Sequence, residues 1–385
     1  MNNIRRATHA GSWYPASPSA LNTQLQGYLT AVTQATPIRN SRIIISPHAG
    51  YSYCGKTMAY SYASLDVVKN KKLRFFILGP SHFFYSRNEC LISGFDYLET
   101  PLGNLKVDTV IRDKLLKIDN GSLFGLMEGE DDETEHSLEM QLPMLVQTLK
   151  WRGYGLEGGS GADDGSLGSV KDVVVVPMLV FDNSGTVDSK LAKALAEYLE
   201  KPGDGSTSTS TSTSTSDTSD TDERENFFII SSDFCHWGGR FSYTGYVSKE
   251  SELDEAMEGR RDINMLRAMK DKLKPDQPTI SQSIEMMDRY AMKVISGRGS
   301  RSQNRFSDKS IYEDWKTYLN STGNTICGQN PIKLILRTLT QLKEKQPAVN
   351  IGVEWLNYSQ SSKVRDVRES SVSYSAGCMT VDYND

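Results

Sequence analysis

Four short apolar runs constrain this chain more than any other feature. They are RIIIS (42–46), KLRFFILG (72–79), DVVVVPMLVF (172–181) and NFFIISS (226–232). Each is dominated by β-branched or aromatic residues without polar alternation, as expected of a strand buried on both faces. The segments between them carry apolar residues three and four apart, the period of a helix. Strands separated by helices run parallel through right-handed crossovers. The predicted fold is therefore one α/β domain over residues 1–385, built on parallel strands with helices between them.

The helices expected from this period include 19–34, with Leu21, Leu25, Tyr28 and Val32 in line, and a helix capped by Asp108. Another spans 136–151, with Leu138, Leu142, Leu145 and Leu149 as its stripe and a kink at Pro143. Helices are also expected over 188–200, 254–270, 282–295, 311–319 and 331–345. Pro177 suggests a bulge or an end in the third strand. Two late segments, 349–360 and 370–382, alternate better and predict a pair of strands with one face toward solvent. The acidic run EGEDDETE (128–135) reads as a solvated loop leading into a helix.

Hydrophobic residues make up only 38% of the 385, because three polar segments dilute the total. These are a glycine-rich loop at 153–169, a Ser/Thr tract at 201–226 and a Ser/Arg/Gly segment at 296–310. The tract cannot bury enough apolar surface to offset its ordering entropy and is expected to be disordered. The net charge of −5 offers no electrostatic case for nucleic-acid binding. No apolar run approaches the length of about 20 residues that a membrane span needs. The first residues lack the apolar core of a secretory signal. Five widely spaced cysteines without a CxxC pair predict free thiols in a reducing compartment, the cytoplasm and with it the nucleus.

Three of the five histidines lie directly after buried runs: His48 in SPHAG, His82 in GPSH and His236 in DFCHWG. In a parallel sheet those carboxyl ends share one edge, so the imidazoles converge there, with Asp233 beside them. Neutral imidazoles bind borderline metals, and one that is not a ligand can act as a general base. His136 either bonds to backbone at a helix start or points into the same cleft. His9 reads as structural. Cys54, Cys90 and Cys378 read as core residues, and Cys235 should point away from His236. Cys327 precedes a helix N-terminus, where a thiol pKa is lowered.

The motifs PHAGYSYCG, GPSH, EHSLEMQLP, SSDFCHWG, NTICG and LNYSQSS…SSVSYSAG occur in this order. Together they resemble the Memo family (mediator of ErbB2-driven cell motility) over nearly the whole chain. The resemblance implies a fold like that of the class III extradiol, LigB-like dioxygenases, a central mixed, largely parallel sheet flanked by helices; those enzymes hold non-haem iron with two histidines and a glutamate. It implies a cleft of two histidines and a cysteine at His48, His82 and Cys327, with His236 and Asp233 as further polar residues. It also implies copper- or iron-dependent redox chemistry, and signalling in growth or motility through phosphopeptide or signalling-protein partners. Thiolate in place of carboxylate favours copper(I) or zinc and weighs against dioxygenase activity. The alternative expectation is a non-catalytic adaptor whose vestigial cleft binds a peptide. The oligomeric state is not legible.

Overall fold

The four apolar runs become neighbouring strands: β1 (Ser41–Ser46), β2 (Leu73–Gly79), β3 (Ser169–Val180) and β4 (Glu225–Ser231). The computed structural model describes residues 3–33, 36–157, 168–201, 224–267, 271, 273–297 and 310–383. Their order across the sheet is β3-β2-β4-β1, and every neighbouring pair is parallel. Ile45 lies opposite Ile230 and Ser46 opposite Ser231, so the carboxyl ends of β1 and β4 are level. Two late strands, β5 (Val349–Gln360) and β6 (Ser371–Tyr383), pair antiparallel, and β6 lies antiparallel against β1.

The strands are continuously apolar because both sheet faces are covered. Ile43, Ile45, Phe76, Leu78, Phe228 and Ile230 point into one core, shared with the helices Gly185–Ala196, Ile280–Ile295 and Gln329–Lys345. Ile44, Phe75, Ile77, Phe227 and Ile229 point into the other, beneath Pro18–Thr30, Tyr51–Ser64 and Leu142–Trp151. Burying one such side chain contributes about 1.5–3 kcal/mol. The result is an α/β architecture with a largely parallel central sheet flanked by helices, consistent with the LigB-like fold. Among the described residues no helix is long and apolar enough to cross a membrane.

Several local expectations change. The helix read over 136–151 is two, His136–Glu139 and Leu142–Trp151. Pro143 sits in the first turn of the second, where its missing N–H is no loss, so the chain breaks instead of kinking. The helix read over 254–270 is only Ser251–Met257, closed by Gly259 at φ +69°. Pro177 does not interrupt β3, which keeps its register with β2 through Ile77 opposite Pro177. The late pair does not present one face to solvent. β6 is mostly buried because β1 and β5 flank it, whereas β5 is half-buried along most of its length.

The acidic run is the largest departure. Asp132 and Glu135 are buried, because they neutralise Arg5 and a histidine rather than facing water. Most of the three predicted insertions, 153–169, 201–226 and 296–310, lies outside the described residues.

Candidate metal centre

β1 ends at Ser46, and Pro47 then turns the chain so that His48 stands at the carboxyl edge of the sheet. Its backbone N–H donates to Asp233 Oδ1 at 2.8 Å. Its Nδ1 lies 2.8 Å from Ser231 Oγ. That hydroxyl already donates to Ser137 O at 2.7 Å and accepts from Gln141 Nε2 at 2.9 Å. A hydroxyl has one proton to give, so it must accept from His48, and His48 Nδ1 carries the hydrogen. The lone pair is therefore on Nε2, which lies 3.1 Å from Cys327 Sγ.

His82 follows β2 by the same device. Gly79 closes the strand, and a Cβ there would lie 2.6 Å from Ser137 Oγ and 2.9 Å from Leu138 Cδ2. Only glycine lets the His136–Glu139 helix pack that closely. Glu135, at the start of that helix, accepts the His82 backbone N–H at 2.7 Å and faces His82 Nδ1 at 2.9 Å. Burial alone would raise the Glu135 pKa. The hydrogen bond and nearness of His82, the neighbouring His136 and the Ser137 N–H outweigh it and hold the group at about 2. An ionised carboxylate only accepts, so His82 Nδ1 also carries the hydrogen, and in the neutral ring the lone pair is on Nε2.

Cys327 arrives from a loop rather than a strand. Gly328, at the start of the Gln329–Lys345 helix, lets the loop press against the end of β4: a Cβ there would lie 2.2 Å from Ser232 Cβ. Asp233 N–H donates to Cys327 Sγ at 3.2 Å. Burial, and then the nearby Asp233 charge, push this thiol well above its ordinary value. This reverses the expectation from the helix terminus, because desolvation and a neighbouring carboxylate outweigh two backbone N–H donors. A bound cation inverts that balance and deprotonates a coordinating thiol.

Donor atoms of His48, His82 and Cys327 lie within 4.8 Å of one another. The three residues that the resemblance singled out are therefore together. His236 and Asp233 stand beside them. His236 Nδ1 lies 2.9 Å from Phe234 O and 3.0 Å from Thr325 O, two acceptors that place its hydrogen there and leave Nε2 free. Burial raises the Asp233 pKa against the lowering influence of His236 and of the His48 N–H. Burial, and then the three neighbouring imidazoles of His82, His136 and His236, push the His48 pKa well below its ordinary value.

The remaining expectations resolve cleanly. His136 is in the cleft: its ring lies 4.2 Å from that of His82 and 4.5 Å from Trp13, centroid to centroid. His9 is structural, bonded through Nδ1 to Glu139 at 2.9 Å. Cys54, Cys90 and Cys378 are buried. Cys235 is buried too, its N–H donating to Asp288 at 3.3 Å. Sequence reasoning missed Glu135 and Ser231. The one signal for Glu135 was its place immediately before His136.

A Memo-like protein family model matches residues 5–378. The chain is 48% identical to "MEMO1 family protein MHO1" of Saccharomyces cerevisiae over 383 residues, 98% of this chain and 99% of the relative. It is 35% identical to "MEMO1 family protein C4H3.04c" of Schizosaccharomyces pombe over 371 residues, 96% and 97% of the two chains. It is 34% identical to human "Protein MEMO1" over 378 residues, 98% and 97%.

Proposed function

The chain belongs to the Memo-like family, and we propose that its cleft is a metal centre in which His48, His82 and Cys327 hold one copper or iron ion, with zinc as a third candidate. The observation that carries this reading is the forced tautomer. His48 and His82 both have Nδ1 tied to an acceptor, so each presents an Nε2 lone pair, and Cys327 Sγ lies against one of them. Two imidazoles and a thiolate suit soft and borderline cations. The group is compatible with a single ion, since its donor atoms already lie within 4.8 Å of one another.

Bound there, copper or iron supplies one-electron redox chemistry, so an enzymatic role would be that of a metal-dependent oxidoreductase. The protein's own part is positional and protonic. Asp233 joins two of the ligand-bearing turns, accepting the His48 N–H through its carboxylate and donating its own N–H to Cys327 Sγ. His236, with its Nδ1 hydrogen held by two carbonyls, offers Nε2 to take up a proton. Asp233, buried and raised in pKa, is the second proton-handling group. Growth or motility signalling in the cytoplasm is the setting that we attach to this chemistry.

A second reading, a non-catalytic adaptor that binds a (phospho)peptide, is favoured by the rim. Phe83 is 57% exposed, with its ring 6.0 Å from that of His136. Arg240 lies 4.5 Å over the Phe241 ring, which in turn packs on His236. Metal content separates the two readings. The untagged protein should carry stoichiometric copper, iron or zinc after purification, and Cys327→Ala and His48→Ala should each carry one equivalent less. A wild-type protein that takes up none of the three sinks the metal-centre reading.

A further inference from the structure

His136 is not explained by the three-residue site. It is 9% exposed, and its Nδ1 has no hydrogen-bond partner. The nearest charge is Glu135 Oε1 at 3.6 Å, too long for a hydrogen bond. The same oxygen lies 2.9 Å from His82 Nδ1. One carboxylate oxygen thus stands between two imidazole nitrogens, one bonded and one orphaned. Donor atoms of His82, Glu135 and His136 lie within 4.8 Å of one another. Trp13 packs tilted against the His136 ring, 4.5 Å between centroids and 31° between planes.

We propose that His82, Glu135 and His136 form a second cation position that takes a borderline divalent ion such as zinc(II). The two positions share one imidazole: Nε2 of His82 serves the first and Nδ1 the second. The inference rests on the metal-centre reading only for the role of that Nε2. Two imidazoles and a carboxylate suit borderline divalent cations, whereas the thiolate position favours softer ones. The balance is simple. Zinc replaces the hydrogen on His82 Nδ1, that proton passes to bulk buffer, and Glu135 exchanges a hydrogen bond for a metal bond. The orphaned His136 Nδ1 gains the partner it lacks.

The test uses the full-length untagged protein, reduced and dialysed to equilibrium against zinc(II), with bound zinc measured per chain. Wild type should hold two equivalents, His136→Asn one, Cys327→Ser one and the double variant none. If Cys327→Ser loses an equivalent while His136→Asn loses nothing, the second position is overturned and the metal-centre reading stands. If only His136→Asn loses zinc, the first position fails and this one stands. A cobalt(II) titration of wild type guards against a variant that does not fold. Thiolate-to-cobalt charge transfer should saturate at one equivalent while visible ligand-field absorption keeps rising to two. Saturation of both bands at one equivalent overturns the inference.

Discussion

The two sides of the cleft hold histidines in one tautomer by opposite means. On one side His82 and His9 are backed by buried carboxylates, Glu135 and Glu139. On the other, His48 is backed by the Ser231 hydroxyl and His236 by two carbonyls. The carboxylates differ accordingly. Burial would raise Glu135 and Glu139, but His82 and His9, with Arg5 beside Glu139, hold both at about 2. At Asp233 burial outweighs the lowering influence of His236 and of the His48 N–H, and moves it upward. A carboxylate behind an imidazole makes the ligand more basic, whereas a neutral acceptor orients the ring without adding charge. The charged side should therefore carry more of the stability and more of the pH dependence.

The largest expected effect is on the charged side. Glu139 accepts from Arg5 Nη1 at 2.6 Å, His9 N at 2.8 Å and Tyr14 OH at 2.7 Å. Glu139→Ala leaves the buried Arg5 cation only partly compensated and should cost about 3–5 kcal/mol in urea unfolding. Ser231→Ala, on the neutral side, should cost only about 1–2 kcal/mol. Equal losses would break the contrast.

Metal affinity comes next. Glu135→Gln and Ser231→Ala both loosen a ligand histidine, and loss of such a partner lowers affinity by about 10–100-fold. Glu135→Gln should lie at the upper end of that range and Ser231→Ala at the lower, measured by chelator competition. The reverse order would show that charge is not what distinguishes the two sides.

Acid titration tests the same contrast through its sign. Glu135 and Glu139 sit at about 2 in the folded protein against an ordinary 4.5. Their contribution is complete above about 4.5 and is lost as pH falls through about 2. Asp233 acts in the opposite sense: its contribution is complete below its unfolded pKa and is lost as pH rises through the raised folded one. Thermal melts between pH 5 and 2 should show wild type losing stability more steeply than Glu139→Gln; parallel slopes would contradict the assignment.

Two smaller effects bracket the site. Gly328→Ala drives a Cβ into Ser232 and should cost about 1–3 kcal/mol, with weaker metal binding as Cys327 shifts. Phe83→Ser, at an exposed position, should stay within about 0.5 kcal/mol of wild type. A cost above that would mean that the rim packs on the cleft.

The strand-end histidines were legible because a buried parallel strand leaves little choice. The runs at 42–46, 72–79 and 226–232 were recognisable, and each is followed at once by a turn and an imidazole. Asp233 came with His236 for the same reason. Cys327 was not legible from spacing, because it reaches the edge on a loop held by Gly328 and Ser232; the resemblance to relatives supplied it. Glu135 was obscured by its neighbours. In an acidic run the solvated residues and the buried ones share one composition, and only the partner separates them. Asp132 finds Arg5 and Glu135 finds His82, contacts across 127 and 53 residues that no local window contains. The break between the helices at 136–139 and 142–151 was missed because Leu138, Leu142, Leu145 and Leu149 keep helical spacing across it.

The most direct measurement is X-ray absorption at the zinc edge of the untagged, reduced His136→Asn protein, which keeps the Cys327 position, loaded with one equivalent. The account predicts one sulfur at about 2.3 Å and nitrogen donors at about 2.0–2.1 Å, with the sulfur lost in Cys327→Ala. A first shell of nitrogen and oxygen alone in the His136→Asn protein would contradict it.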